Sequence, residues 1–136
     1  MSKVAIVTGS GGLVGSETAK ALLREGFDVV GIDNDMRAYF FGGEASTAHV
    51  VDELASRSEK FVKRACDIRD EKAIEEIFLE FGETVELVVH TAAQPSHDWA
   101  AKEPKTDFGV NAVGTLNLLE AYRKNCSKAV FIFTST

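Results

Sequence analysis

Near its start the chain runs from an apolar pentad straight into a glycine-rich turn: Val4-Ala5-Ile6-Val7-Thr8 is followed by Gly9-Ser10-Gly11-Gly12-Leu13-Val14-Gly15. An apolar run without alternation reads as a strand covered on both faces, the situation of a parallel sheet packed between helices. Gly15, Ala19, Leu22 and Leu23 then recur at the spacing of one helical face, and Gly26 stops that helix. A strand that enters a helix through so short a turn needs a crossover to reach a parallel neighbour, so the rest of the chain must supply βα units.

It does. Val29–Ile32 reads as a second strand ending at Asp33, followed by a connection, 34–45, that carries Tyr39, Phe40, Phe41 and the Gly42-Gly43 pair. Ser46 is placed to cap a helix with apolar positions Val50, Val51, Leu54 and Ala55. Phe61–Cys66 is a third strand, and Asp70 is placed to cap a helix with Ile74, Ile77, Phe78 and Phe81 on one face before Gly82 ends it. Val85–His90 is a fourth strand, 92–105 a polar irregular stretch holding both prolines, Thr106–Asn125 a long helix, and Ala129–Phe133 a fifth strand. The pattern predicts an α/β parallel sheet with helices on both faces, built as one domain of 136 residues.

Composition narrows the function classes. A net charge of −6 without a basic block argues against a nucleic-acid partner. No apolar run approaches the ~20 residues of a membrane span, so no membrane partner is expected. Cys66 and Cys126 form neither a disulfide framework nor a metal-ligand spacing, and a reduced, cytoplasmic setting is the expectation.

The turn carries the chemistry. In Gly9-x-x-Gly12-x-x-Gly15, Gly9 allows the tight turn, Gly12 lets the backbone approach a pyrophosphate, and Gly15 lets helix and sheet pack closely, with the helix N-terminus facing the anion. No Gly-Lys-Ser/Thr follows, so this is not a Walker loop. Asp33 ends the second strand, where a carboxylate can accept from ribose hydroxyls and repel a 2′-phosphate, which favours NAD over NADP. Asp35 competes for that role, and Arg37 is near enough in sequence to meet a phosphate.

Together with Asp33-Asn34, Asp67-Ile68-Arg69-Asp70, His90-Thr91-Ala92-Ala93-Gln94, Asn111-Ala112-Val113-Gly114-Thr115-Leu116-Asn117-Leu118-Leu119 and Phe133-Thr134-Ser135-Thr136, the glycine turn resembles the extended short-chain dehydrogenase/reductases, the NAD-dependent sugar-nucleotide epimerase/dehydratase group. Within that group the segments Asp33–Gly42 and Gln94–His97 look most like the CDP-paratose (CDP-tyvelose) 2-epimerases. The resemblance implies a Rossmann-like doubly wound sheet of order 3-2-1-4-5, cut short before the later strands and the substrate domain. It implies cofactor contacts from Gly9, Gly12, Leu13, Val14, Gly15, Asp33, Asn34, Arg37, Thr91, Ala92, Ala93, Thr134 and Ser135, with Asp67 and Ile68 flanking the adenine. Asn111, expected on a buried helix face, is implied near the nicotinamide, and Thr136 matches the catalytic hydroxyl that bonds the reacting sugar oxygen.

Bland readings stand beside these. Asp67 also suits the start of a turn, Ile68 the core, and the small run 91–93 simple close packing. In the loop Gln94–Ala101, Gln94 and Ser96 are expected to touch the nucleotide-sugar substrate and Trp99 to pack; His97 and Asp98, being neighbours in sequence, make no catalytic pair. Tyr39, Phe40 and Phe41 are expected to cluster under their connection.

The family's proton transfer also needs a Tyr and a Lys four positions apart. Here Tyr39 is followed by Gly43 and Tyr122 by Cys126 at that spacing. The expectation is therefore an N-terminal, NAD-holding part of an epimerase that oxidises a sugar carbon to a keto-sugar, reorients it and reduces it again. A 4-epimerase, a dehydratase or an inactive NAD-binding module are the alternatives. The isolated chain is expected to be inactive, and the parent to be a homodimer through Thr106–Asn125 and a further helix.

Overall fold

The computed structural model describes residues 2–135. Its five strands are β1 (Val4–Thr8), β2 (Asp28–Asp33), β3 (Phe61–Ala65), β4 (Val85–His90) and β5 (Val130–Phe133). All pair in parallel, in the order β3-β2-β1-β4-β5. That is the doubly wound order expected. β1 lies between β2 and β4 and all five of its residues are buried, which is why its sequence shows no alternation. The winding reverses between β1 and β4, and the crevice beyond their carboxyl ends is where such sheets take ligands.

Seven α-helices are described: α1 (Leu13–Arg24), α2 (Met36–Phe41), α3 (Ala48–Arg57), α4 (Glu71–Phe81), α5 (His97–Lys102), α6 (Pro104–Phe108) and α7 (Gly114–Asn125). None is long and apolar enough to cross a membrane. Successive strand residues face opposite layers. Ile6, Val30, Ile32 and Val88 pack with Ile74 and Phe78 of α4 and Leu118 of α7. Val7, Val29 and Val89 pack with Ala19 of α1 and with Val51 and Leu54 of α3. Asp70 caps α4 as expected, accepting from the Ala73 N–H at 3.1 Å, and Gly82 ends that helix with φ +48°.

Four expectations need correction. The connection 34–45 is not open coil: it holds α2 and a short 3-10 turn, Gly43–Ala45. The cap residue of α3 is Thr47, one position later than expected, because Ser46 closes that turn and gives its hydroxyl to Asp35. The stretch 92–105 contains α5, capped by Ser96 accepting from the Trp99 N–H, and the start of α6 with Pro104 in its first turn. The long helix begins at Pro104 and passes through a π turn, Gly109–Val113, before α7. β5 is an edge strand among the described residues, with Val130, Ile132 and Phe133 exposed, as are Leu116 and Leu119 of α7.

Phe78 is fully buried beneath the sheet. Phe78→Ala is expected to cost about 3–5 kcal/mol and Asp70→Ala about 1 kcal/mol in urea unfolding. Equal losses from the two changes would contradict this packing.

Candidate functional site

Gly9 takes φ +68°, and its N–H donates to the Ile32 carbonyl at 2.8 Å, tying the turn to β2. The Gly12 N–H closes the turn on the Gly9 carbonyl at 2.9 Å. A Cβ on Gly15 would drive into that same carbonyl, so the close approach of α1 to the turn requires glycine there. Gly12 is the N-cap of α1, no side chain caps it among the described residues, and the first turn of α1 holds no acid. The helix therefore presents uncompensated N–H groups and positive dipole to the space above the sheet. Leu13 and Val14 stand exposed at its rim.

That space is a cavity of about 270 Å³. The glycine turn forms one wall; Asp33, Asn34, Met36, Arg37, Phe40 and Phe41 close the β2 side. Asp67 and Ile68 line it, as do Thr91, Ala92 and Ala93. Thirteen of the residues expected at the cofactor from β1 through β4 thus converge on one crevice, Asn111, Thr134 and Ser135 aside.

Asp33 is fixed from two sides. Its Oδ2 accepts from the Gly11 N–H at 2.9 Å and its Oδ1 from the Asp35 N–H at 2.7 Å. Asp35 does not share the role: in a left-handed conformation, φ 57°, it accepts from the Ser46 hydroxyl at 2.6 Å and the Thr47 N–H at 2.8 Å. Burial raises the Asp35 pKa, but these hydrogen bonds outweigh it and hold the carboxyl below its usual value. Arg37 lies over the Phe41 ring, 5.3 Å from its centroid.

On the opposite wall both readings of Asp67 hold at once. It opens a turn, with its carbonyl accepting from the Asp70 N–H at 2.9 Å, and it presents its carboxylate at the cavity beside Arg69, 2.6 Å away. Burial raises its pKa; the Arg69 hydrogen bonds and charge, with a bond from Asn34, bring it below the ordinary value. Ile68 is likewise both core and cavity wall. Buried Asn117 donates to the carbonyls of Ile68 and Arg69 at 3.0 and 3.1 Å, fixing this turn. The Cys66 thiol at the cavity is pushed up to about 11, by burial first and then by Asp70 and Asp67, and stays protonated.

At the exit of β4, Gln94 and Ser96 serve the loop rather than the cavity wall. Gln94 is buried; its amide donates to the Ser96 carbonyl at 2.9 Å and to Asp107 at 2.7 Å, and accepts from the Ser96 N–H. Neither residue lines the cavity. Asn111 is exposed, not buried as expected, because the π turn carries it out of the packed face. Its polar atoms are nonetheless used: Oδ1 accepts from the Gln94 N–H at 2.8 Å, and Nδ2 donates to the Gln94 carbonyl and to Asp107.

Thr134 continues past β5, donating from N–H and hydroxyl to the His90 carbonyl at 3.2 and 3.3 Å; it and Ser135 do not line the cavity. Thr136 lies outside the described residues. Trp99 packs, as expected, within 5.9 Å of Tyr39 and 5.5 Å of Phe40, and donates to the Phe40 carbonyl at 2.7 Å. Both tyrosines are spent on structure: Tyr39 donates to Glu103 at 3.0 Å, and Tyr122 to the Ala129 carbonyl at 2.8 Å. Sequence reasoning missed Ile32, Met36, Thr47, Cys66, Pro95 and Val110 as cavity residues, and placed Phe40 and Phe41 under their connection where they also reach the cavity wall; Met36 and Pro95 lie in the segments Asp33–Gly42 and Gln94–His97, which gave them no role of their own.

A profile of the NAD dependent epimerase/dehydratase family matches residues 5–136. The UDP-glucose 4-epimerase of Homo sapiens is 31% identical over 137 residues, covering 100% of this chain and 38% of that protein. The solved UDP-glucose 4-epimerase of Thermotoga maritima with UDP-glucose superposes with a TM-score of 0.76 at 30% identity, over 98% of this chain and 38% of that one. The UDP-glucose 4-epimerase of Thermus thermophilus, solved in complex with NAD, gives 0.70 at 32% identity, over 89% and 34%. The chain spans little more than a third of the length of the curated relatives it matches. These relatives are 4-epimerases, so the finding supports the family and not specifically a CDP-paratose 2-epimerase.

His90, at the end of β4, is 2% exposed, and burial pushes its imidazole down to about 4. The unfolded chain, titrating near ~6.5, takes up the proton first. Stability is then whole above pH ~6.5 and declines as pH falls toward 4, by about 3 kcal/mol across that window. Urea unfolding between pH 7 and pH 4 is expected to show this slope, flattened in His90→Gln; equal slopes would contradict a buried neutral imidazole.

Proposed function

The chain belongs to the NAD dependent epimerase/dehydratase family, and within it we propose that these residues hold NAD for the epimerisation of a nucleotide sugar. One observation carries the reading: a single cavity at the β1/β4 reversal is walled by the glycine turn, by Asp33 and by the small run 91–93.

The residues fit the cofactor. Uncapped N–H groups at the start of α1 and the side-chain-free turn suit a pyrophosphate. Asp33, oriented by two backbone N–H donors, offers its remaining lone pairs to vicinal ribose hydroxyls and opposes a 2′-phosphate. Arg37, over the Phe41 ring, lines the same wall. Asp67 and Ile68 supply an acceptor and an apolar face for the adenine. Thr91, Ala92 and Ala93 allow backbone contact, with Asn111, Thr134 and Ser135 nearest the nicotinamide end. Bound NAD supplies a reversible two-electron acceptor for a sugar carbinol carbon.

In this reading Thr136 contributes the hydroxyl that bonds the reacting sugar oxygen. The proton-transferring Tyr and Lys have no counterpart, since Tyr39 and Tyr122 are committed to Glu103 and to the Ala129 carbonyl. The 136 residues therefore bind cofactor without turnover, and activity belongs to a protein that also carries what the relatives hold beyond this span. Similarity to UDP-glucose 4-epimerases favours inversion at C4 of a UDP-hexose. The segments Asp33–Gly42 and Gln94–His97 favour the second reading, C2 inversion of CDP-paratose. Pairing of a parent protein through the exposed Leu116 and Leu119 face of α7 belongs to the same proposal.

Calorimetry on the folded chain is expected to show saturable binding of NAD below millimolar concentration, with NADP at least about tenfold weaker. Asp33→Ala, which removes a charged acceptor, is expected to weaken NAD by about tenfold or more. No heat with NAD, or equal affinities for the two dinucleotides, would overturn the assignment.

A further inference from the structure

His90 is assigned no contact with cofactor or substrate, yet both of its ring nitrogens are engaged in the sheet interior. Nδ1 lies 2.6 Å from the Thr8 hydroxyl and Nε2 lies 2.9 Å from the Thr115 hydroxyl. The directions of these bonds follow from the neighbours. Thr8 Oγ1 accepts from the Thr91 and Ala92 N–H groups, each at 3.1 Å, so its one proton points to Nδ1. A neutral imidazole then carries its proton on Nε2 and donates it to Thr115. Thr115 in turn donates to the Asn111 carbonyl at 2.7 Å, within the π turn. The Asn111 side chain grips residue 94 from both sides, accepting from its N–H at 2.8 Å and donating to its carbonyl at 3.2 Å.

The two ends of this chain of bonds close on one segment. Through Thr8 the imidazole reaches the N–H groups of Thr91 and Ala92; through Thr115 and Asn111 it reaches the backbone of Gln94. Between them lies the run 91–93 that faces the cavity, with the Thr91 hydroxyl 2.9 Å from where a Gly15 Cβ would be. We propose that His90 is a positioning residue: as an Nε2–H tautomer bridging Thr8 and Thr115, it holds both flanks of residues 91–94 and thereby sets the wall against which the dinucleotide lies. The cofactor part of this inference rests on the proposed function above; the clamping of 91–94 does not.

The Thr115 hydroxyl bonds the carbonyl four residues back, as the Thr18 hydroxyl does in α1, while the Asn111 side chain, carried on the π turn Gly109–Val113, faces residue 94.

The test uses the 136-residue chain labelled with ¹⁵N. Long-range ¹H–¹⁵N correlation on the wild type between pH 5.5 and 8 is expected to show the Nε2–H tautomer; the Nδ1–H tautomer would overturn the proposal, whatever the variants do. Amide exchange is then read at Thr91, Ala92 and Gln94, with Ile6 and Val88 as sheet references. Thr115→Val is expected to speed exchange at Gln94 by at least about tenfold while leaving Ile6 and Val88 unchanged. His90→Asn, whose Oδ1 can take the place of Nδ1, is expected to keep Thr91 and Ala92 protected and to release Gln94. Acceleration spread evenly over all five amides would mean a merely structural role and would contradict the clamp, as would no change at Gln94. Titration with NAD is expected to give both variants about tenfold weaker binding. Wild-type chain that binds no NAD would sink the cofactor reading and leave the tautomer and exchange results to decide the clamp; variants that bind NAD as well as the wild type would overturn the positioning role.

Discussion

Everything in this chain is organised by the contact between the first turn and the first helix. The Gly15 position abuts the Gly9 carbonyl so closely that no side chain fits. That closeness seats α1 directly over the end of β1 and points its uncapped N-terminus across the crevice where the sheet reverses. The Gly9 N–H on the Ile32 carbonyl and the Gly11 N–H on Asp33 then lock the turn to β2. One tight approach thereby places an anion-seeking helix end and a carboxylate on the same rim, which is the combination a dinucleotide with bare ribose hydroxyls requires.

The polar residues around this crevice divide the work. Asp35, though acidic and two positions from Asp33, is consumed by Ser46 and Thr47 and holds the connection in place. Gln94 and Ser96 satisfy one another and Asp107, which stiffens the loop after β4. Trp99 ties that loop to the Phe40 carbonyl, so the connections after β2 and β4 brace each other above the cavity. His90 and Asn117 act from beneath, each fixing a segment that faces the cavity without lining it themselves. The site is thus a shell of backbone and small side chains held by buried polar groups, in keeping with the need to satisfy every buried donor and acceptor.

Much of this was legible in the sequence. The five strands, the α4 cap at Asp70 and the glycine turn carry their reasons locally: apolar runs, a capping residue at fixed spacing, and a turn that admits no Cβ. α2 and α5 were not legible, because six residues complete too few turns to show helical periodicity. Asn111 was expected inside, since regular spacing puts it on the packed face; the π turn shifts that face and brings it out. The His90 bridge joins residues 82 positions apart on one side and 25 on the other. No local pattern encodes such a link, so only the assembled fold discloses it.

The central claim is that the crevice at the β1/β4 reversal is the seat of NAD. Backbone chemical-shift mapping during an NAD titration of the folded chain tests it most directly. Shifts are expected to concentrate at Gly9–Gly15, Asp33, Asp67, Ile68 and Thr91–Ala93, with the β5 edge and the outer face of α3 unmoved. Shifts centred on those outer surfaces, or none at millimolar NAD in a folded sample, would contradict it.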